Sequence, residues 1–257
     1  SADALAYAED MPGDVTLAEV LQARTASKRP FSFREAEVIF RPIAEALDYL
    51  LATPFRYGPL RGGSRFRSLT EPGVFYGAES VRTASAELGY WRWKFLKDAV
   101  DLERLEPVAH TAFRADVSTL AVDLRQPPFS ADAAAWLHPT DYSATQTFAR
   151  VAREANLGGI VYQSVRDPHP AWCMALLTPQ AFAKPKPHPT MQIWWLAVHQ
   201  DQVIWRRENK SMTFSAAAWK CAVRDQWTGW DLHHQYDYDR LKLIANNSRF
   251  LILPDWT

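Results

Sequence analysis

The stretch from Phe55 to Leu96 constrains the fold most, because its local character changes three times. Phe55–Arg67 reads Phe-Arg-Tyr-Gly-Pro-Leu-Arg-Gly-Gly-Ser-Arg-Phe-Arg, with four arginines and three glycines and neither a helical nor a strand period. It predicts a cationic loop. Glu71-Pro72-Gly73 then turns into a short apolar strand over Val74–Ala78. From Ser80 to about Leu96 a helix follows, with Ala84, Leu88, Trp91 and Phe95 recurring at helical spacing and predicting its apolar face. A loop–strand–helix unit of this size brings the loop exit, the strand end and the helix face around one cleft. Arg65, Tyr76 and Glu87 sit on its three pieces, eleven residues apart at each step.

Composition limits what that cleft serves. The chain has 29 Lys+Arg and 29 Asp+Glu among 257 residues, so its net charge is zero. Direct nucleic-acid binding through bulk charge and a polybasic membrane surface are therefore not expected. With 47% hydrophobic residues the chain reads as folded, and its 11 Trp, 13 Phe and 9 Tyr predict a large core and an aromatic-lined pocket. Cys173 and Cys221 form no Cys-x-x-Cys pair, which excludes a disulfide scaffold and a zinc ribbon. No run reaches the length of a membrane span. The expectation is a cytoplasmic protein.

Around the central unit, capping-box pairs at Thr16/Glu19 and Ser32/Glu35 predict a helical N-terminal region, assigned to residues 1–44, and the helix that follows the second box is expected to run on to Thr53-Pro54. Val108–Leu124 reads as two extended segments. A helix from about Asp141 to Asn156 stops at Gly158-Gly159. Strands are predicted over Ile160–Arg166 and Ala171–Leu177, and a hairpin over Ile193–Val198 and Val203–Arg206. The irregular alternation predicts an α+β fold, a mixed β-sheet core flanked by helices. A catalytic domain is assigned to residues 45–215, and residues 216–257 are read as a Trp- and His-rich extension or fused remnant.

Taken singly, Glu87 reads as a rim or ion-paired carboxylate, Tyr76 as a core tyrosine and the loop as a solvated basic turn. Together they supply cations for phosphates, an aromatic for a planar ring and a carboxylate for a developing cation. NAD has all the matching parts, and cleavage of its nicotinamide–ribose bond passes through an oxocarbenium-like state. Neither a P-loop nor a Gly-x-Gly-x-x-Gly fingerprint is present, so NAD is expected as a substrate rather than a Rossmann-bound cofactor. His233-His234 with Asp231 and Asp237 lack the spacing of a metal site, and no metal is expected. Cys173 reads as core.

Several segments resemble the RES domain family. They are Gly63-Ser64-Arg65-Phe66-Arg67, Val74-Phe75-Tyr76-Gly77-Ala78, Thr83-Ala84-Ser85-Ala86-Glu87-Leu88 and Gly159-Ile160-Val161-Tyr162-Gln163-Ser164-Val165-Arg166. Phe55-Arg56-Tyr57 is similar to an earlier Arg-Tyr pair of the family. The resemblance implies an ADP-ribosyltransferase-like fold and a bacterial toxin that consumes NAD by phosphorolysis or hydrolysis, or else transfers ADP-ribose to a protein. An Xre-like helix-turn-helix antitoxin is the implied partner. It further implies Arg65, Tyr76 and Glu87 as catalytic residues, with Arg56, Tyr57, Arg65 and Ser164 binding NAD. Arg67 stands where the family commonly has Asn, which is either a further phosphate contact or a subfamily difference. A third alternative is an interaction module without catalysis.

Overall fold

The computed structural model describes residues 47–56, 63–99 and 101–221. The capping boxes at Thr16 and Ser32, Tyr57, Arg61 and the His233-His234 pair lie outside these residues.

Two four-stranded sheets organise the chain. The first contains β1 (Phe75–Ala78), β3 (Ala121–Asp123), β4 (Gly159–Gln163) and β5 (Trp172–Leu176), in the order β1-β5-β4-β3. Only the β3–β4 pair is parallel. The second is wholly antiparallel: β2 (Leu105–Ala112), β6 (Gln192–Val198), β7 (Gln202–Arg207) and β8 (Lys210–Ser215), in the order β2-β6-β7-β8. The fold is α+β as expected, with two sheets in place of the single mixed one.

Helix α1 (Tyr49–Arg56) packs on β1, α2 (Val81–Asp98) lies between the sheets' strands, and α4 (Ser143–Glu154) covers the first sheet. Short α3 (Ala133–Trp136) precedes α4, and α5 (Ala216–Cys221) follows β8. Because strand side chains alternate, the first sheet has two differently packed faces. Tyr162, Cys173 and Ala175 face α4 through Phe66, Phe148 and Ala152. Phe75, Met174 and Leu176 face α1 through Leu51 and Phe55.

Helix α2 begins where expected: the Ser80 hydroxyl accepts from Thr83 N–H at 3.1 Å, an N-cap bond. Its buried face differs from expectation. Ala84, Leu88, Trp91 and Phe95 are exposed, whereas Ala86, Gly89, Tyr90, Trp93 and Leu96 are buried. The reason is close packing on the second sheet. Gly89 lets α2 approach so near that a Cβ there would lie 3.0 Å from Val203 Cγ1. The Trp205 indole N–H then reaches Ser85 O at 3.1 Å, and Trp93 reaches Gln200 O at 3.1 Å. Small and amphipathic residues face this sheet, so hydrophobicity alone selects the wrong stripe.

Two helix ends also differ. Helix α1 runs through Pro54 to Arg56, because Phe55 is held edge-on to Phe182 with centroids 6.4 Å apart and this packing outweighs the local cost of proline. Helix α4 is terminated by Asn156, in the left-handed region at φ 58, rather than by the glycines. Gly158 serves close approach instead, since a Cβ there would stand 1.9 Å from Thr119 Oγ1. The strand expected through Arg166 ends at Gln163 because Ser164 Oγ accepts from the N–H groups of Arg166 and Asp167, at 3.2 and 3.0 Å, turning the backbone out of the sheet.

Candidate active site

The loop at Ser64–Arg67 is a tight reverse turn. Ser64 N–H donates to Arg67 O at 2.8 Å and Arg67 N–H to Ser64 O at 3.2 Å. Gly63 enters it at φ 71, where any Cβ would lie 2.4 Å from Arg67 O. From helix α4, Gln146 Nε2 donates to the carbonyls of Ser64 and Arg67, at 2.9 and 3.2 Å. The two central residues diverge. Phe66 is fully buried against Tyr162, with centroids 4.8 Å apart, a contact whose burial contributes ~2 kcal/mol. The Arg65 guanidinium is turned onto the segment before α4: Nη1 donates to Trp136 O at 2.8 Å and His138 O at 3.0 Å, and the group lies 4.7 Å from the Tyr142 ring centroid.

Tyr76 ties this loop to β1. Its Oη receives the Phe66 N–H at 3.0 Å and lies 2.8 Å from Ser64 Oγ. Tyr76 is 39% exposed overall, and burial around its hydroxyl raises its pKa above the ordinary value. Tyr76 is therefore a neutral phenol at physiological pH.

Glu87 and Ser164 meet directly. The Ser164 hydroxyl donates to Glu87 Oε1 at 2.6 Å, and Val165 N–H donates to the same oxygen at 3.3 Å. Glu87 Oε2 makes no bond among the described residues. Cys173 Sγ lies 4.0 Å from Oε1, and burial together with the Glu87 charge pushes its thiol well above the ordinary range. Tyr162, opposite Cys173 in the β4–β5 register, is raised by burial and then by the neighbouring thiol and carboxylate. The field of Arg65 reaches Tyr76, Tyr162 and Cys173 and favours the anionic form of each. Arg65, Tyr76, Glu87 and Ser164 thus surround one buried core of Tyr162 and Cys173.

Arg56 ends α1 with an exposed side chain, and its helix packs on the opposite face of the sheet. Tyr57 lies outside the described residues. Arg67 Nε donates to Glu71 O at 3.1 Å, and burial lowers its pKa. Glu71, itself buried, also faces Arg150 at 3.5 Å and Arg153 at 3.4 Å. A cleft of about 210 Å³ opens beside Tyr76, lined by Phe75, Gly77, Ala84, Phe113, Trp172 and Met174; Arg65, Glu87 and Ser164 do not line it.

Sequence reasoning missed Tyr142 and Arg166, whereas Cys173 is the core residue it was read as. Arg166 is nearly inaccessible, its guanidinium 3.5 Å from the Tyr90 ring centroid. Its position two residues after Ser164 was a usable signal. Tyr142 carried none, because Arg65 reaches it only through the tertiary fold. No group of metal-ligating side chains occurs among the described residues, and no helix among them is long and apolar enough to cross a membrane.

Comparison with curated proteins gives no match. A family model, the RES domain, matches residues 38–199, well over half of the chain and all four elements that carry Arg65, Tyr76, Glu87 and Ser164. That family is ADP-ribosyltransferase-like in fold and is associated with NAD and with toxin–antitoxin systems. On the extent of that match and the α+β architecture, the chain belongs to the RES domain family.

Proposed function

We propose that this chain cleaves the nicotinamide–ribose bond of NAD with phosphate or water as acceptor, and that it acts as the toxin of a toxin–antitoxin pair by depleting NAD. The observation that carries the reading is the asymmetric anchoring of Glu87. One carboxylate oxygen is fixed by Ser164 Oγ and Val165 N–H, and the other is left without a bond among the described residues. A carboxylate preorganised in this way stabilises positive charge developing on a ribose without reorganising at the moment of reaction.

In the step, the C–N bond breaks and both electrons leave on the nicotinamide nitrogen, which becomes neutral. A water or phosphate oxygen forms the new bond to the ribose carbon, and the acceptor's proton passes to solvent. Arg65 supplies cationic charge to the diphosphate, and Tyr76, partly exposed, presents a neutral aromatic ring. Ser164 acts through Glu87 and is a positioning residue. The proposed partner is an Xre-like helix-turn-helix antitoxin that covers this site.

The test is incubation of the purified chain with NAD alone, with and without phosphate, and analysis of the products. Nicotinamide release without a protein acceptor, abolished in Glu87→Gln, is expected. ADP-ribose found only on a protein acceptor would replace this reading with a transferase, and intact NAD with a folded chain would replace it with an interaction module.

A further inference from the structure

Two buried guanidiniums stand against the same short segment without a carboxylate partner among the described residues. Arg65 is 8% exposed and Arg166 is 2% exposed. Arg65 Nη1 holds the carbonyls of Trp136 and His138, and Arg166 Nη2 holds the next carbonyl, that of Pro139, together with Tyr142 Oη at 3.4 Å. Each also covers an aromatic ring, Tyr142 for Arg65 and Tyr90 for Arg166. The neighbouring acids are engaged elsewhere. Asp167 accepts from Thr83 and faces Arg82 at 3.5 Å, and Glu87 accepts from Ser164 and Val165.

Carbonyls and ring faces offset only part of the desolvation of a buried cation, and two such cations on one segment repel each other. An anion between them would relieve both effects. Arginine's planar fork suits the paired oxygens of a phosphate group. Each side chain uses one Nη for the carbonyls and leaves the other Nη and Nε without a bond among the described residues. Location adds to this. Arg166 follows Ser164 by two residues, and its ring partner Tyr90 lies three residues after Glu87, on the same side of α2.

We propose that Arg65 and Arg166 form one clamp for a phosphate-type oxyanion. The binding claim stands on the two arginines alone; which phosphate occupies the clamp, the diphosphate of the dinucleotide or a free inorganic phosphate acceptor, rests on the proposed NAD reading.

Calorimetric titration with inorganic phosphate and, separately, with ADP-ribose tests this on the full chain, using wild type, Arg166→Gln, Arg166→Lys and Arg150→Gln, the last altering a half-exposed arginine outside the site. Melting curves verify folding of each. We expect wild type and Arg150→Gln to bind at least one probe, and both Arg166 variants to bind it at least about tenfold more weakly. Loss confined to ADP-ribose assigns the diphosphate, and loss confined to phosphate assigns the acceptor. If Arg166→Gln does not fold, Arg166→Lys decides by the same comparison. Should neither lysine nor glutamine variant fold, protection of the Trp136–Tyr142 amides from hydrogen exchange by either probe in wild type supports the clamp, and no protection overturns it. Wild-type affinity in a folded variant, or binding of neither probe by wild type, overturns it as well. NAD turnover is read separately, so wild type that binds the probes yet leaves NAD intact sinks the glycosidic reading and not the clamp.

Discussion

Ser164 and Glu87, far apart in sequence, are joined by a hydrogen bond in which the serine hydroxyl donates to the carboxylate across 2.6 Å, and the serine oxygen simultaneously receives the N–H groups of Arg166 and Asp167. The serine therefore ends a strand and orients the candidate catalytic carboxylate with a single atom. Ser164→Ala should leave two buried N–H donors without their acceptor and Glu87 with only Val165. A loss of about 1–3 kcal/mol of stability is expected, with at least a tenfold fall in NAD turnover. Chemical denaturation and turnover measured together check this. A serine needed only for the strand end would lower stability while leaving turnover per folded molecule unchanged.

Tyr76 anchors the Ser64–Arg67 turn through its hydroxyl alone. Tyr76→Phe keeps the ring and removes the bonds to Phe66 N–H and Ser64 Oγ. The expected cost is about 1 kcal/mol, with the turn opening locally. Hydrogen exchange should accelerate at the Phe66 and Arg67 amides while the β4 and β5 amides keep their protection. Unchanged exchange at Phe66 would contradict the anchoring role.

Glycines at close approaches should differ by what they meet. Gly73→Ala drives a Cβ to 2.0 Å from Pro54 O and 2.6 Å from Phe55 Cα, both backbone atoms that cannot step aside. It should prevent folding or cost more than about 4 kcal/mol. Gly158→Ala meets mainly the side chain of Thr119, so adding Thr119→Ala should restore much of the lost stability. Melting temperatures of the single and double variants measure the recovery, and additive losses would refute it.

Alkaline pH should destabilise the fold. Cys173 and Tyr162 both have folded pKa values above their ordinary 9.0 and 10.0. Below about pH 9 both are neutral whether folded or not, and they add nothing to the pH dependence. Above it the unfolded chain releases protons that the folded chain retains, so stability falls as pH rises, by up to about 1.4 kcal/mol per pH unit for each group. Cys173 acts first. Denaturant midpoints at pH 8 and pH 10 should differ, and Cys173→Ala should reduce the difference. A midpoint unaffected between these pH values would exclude the effect.

Much of the site was legible because its residues lie on short, strongly marked local units. Arg65 follows a glycine pair, Tyr76 sits in a brief strand and Glu87 follows a clear N-cap, so the loop–strand–helix order was readable from the chain alone. The face of α2 was not legible. Ala84, Leu88, Trp91 and Phe95 form the better hydrophobic stripe, yet Gly89 and Tyr90 face the core because the second sheet supplies the shape that fits them. The partners of Arg65 were equally hidden, since backbone carbonyls at Trp136 and His138 leave no residue-type signature. Trp93→Ala should consequently cost about 3–5 kcal/mol in a melt, whereas Trp91→Arg, on the exposed stripe, should change stability by no more than about 0.5 kcal/mol. The reverse order would restore the stripe as the buried face.

Helix α2 presents Glu87 to the first sheet and Ala86, Tyr90, Trp93 and Leu96 to the second. A helix is stiff over so short a distance, so its roll about its own axis is set where the larger side chains grip, around Trp205 and Val203. The second sheet thereby works as a cradle that fixes the aim of a carboxylate it never touches. If Glu87 acts as proposed, repacking beneath Gly89 would detune the proposed reaction without altering any of the proposed site residues, and selection on that activity would register in residues far from Glu87.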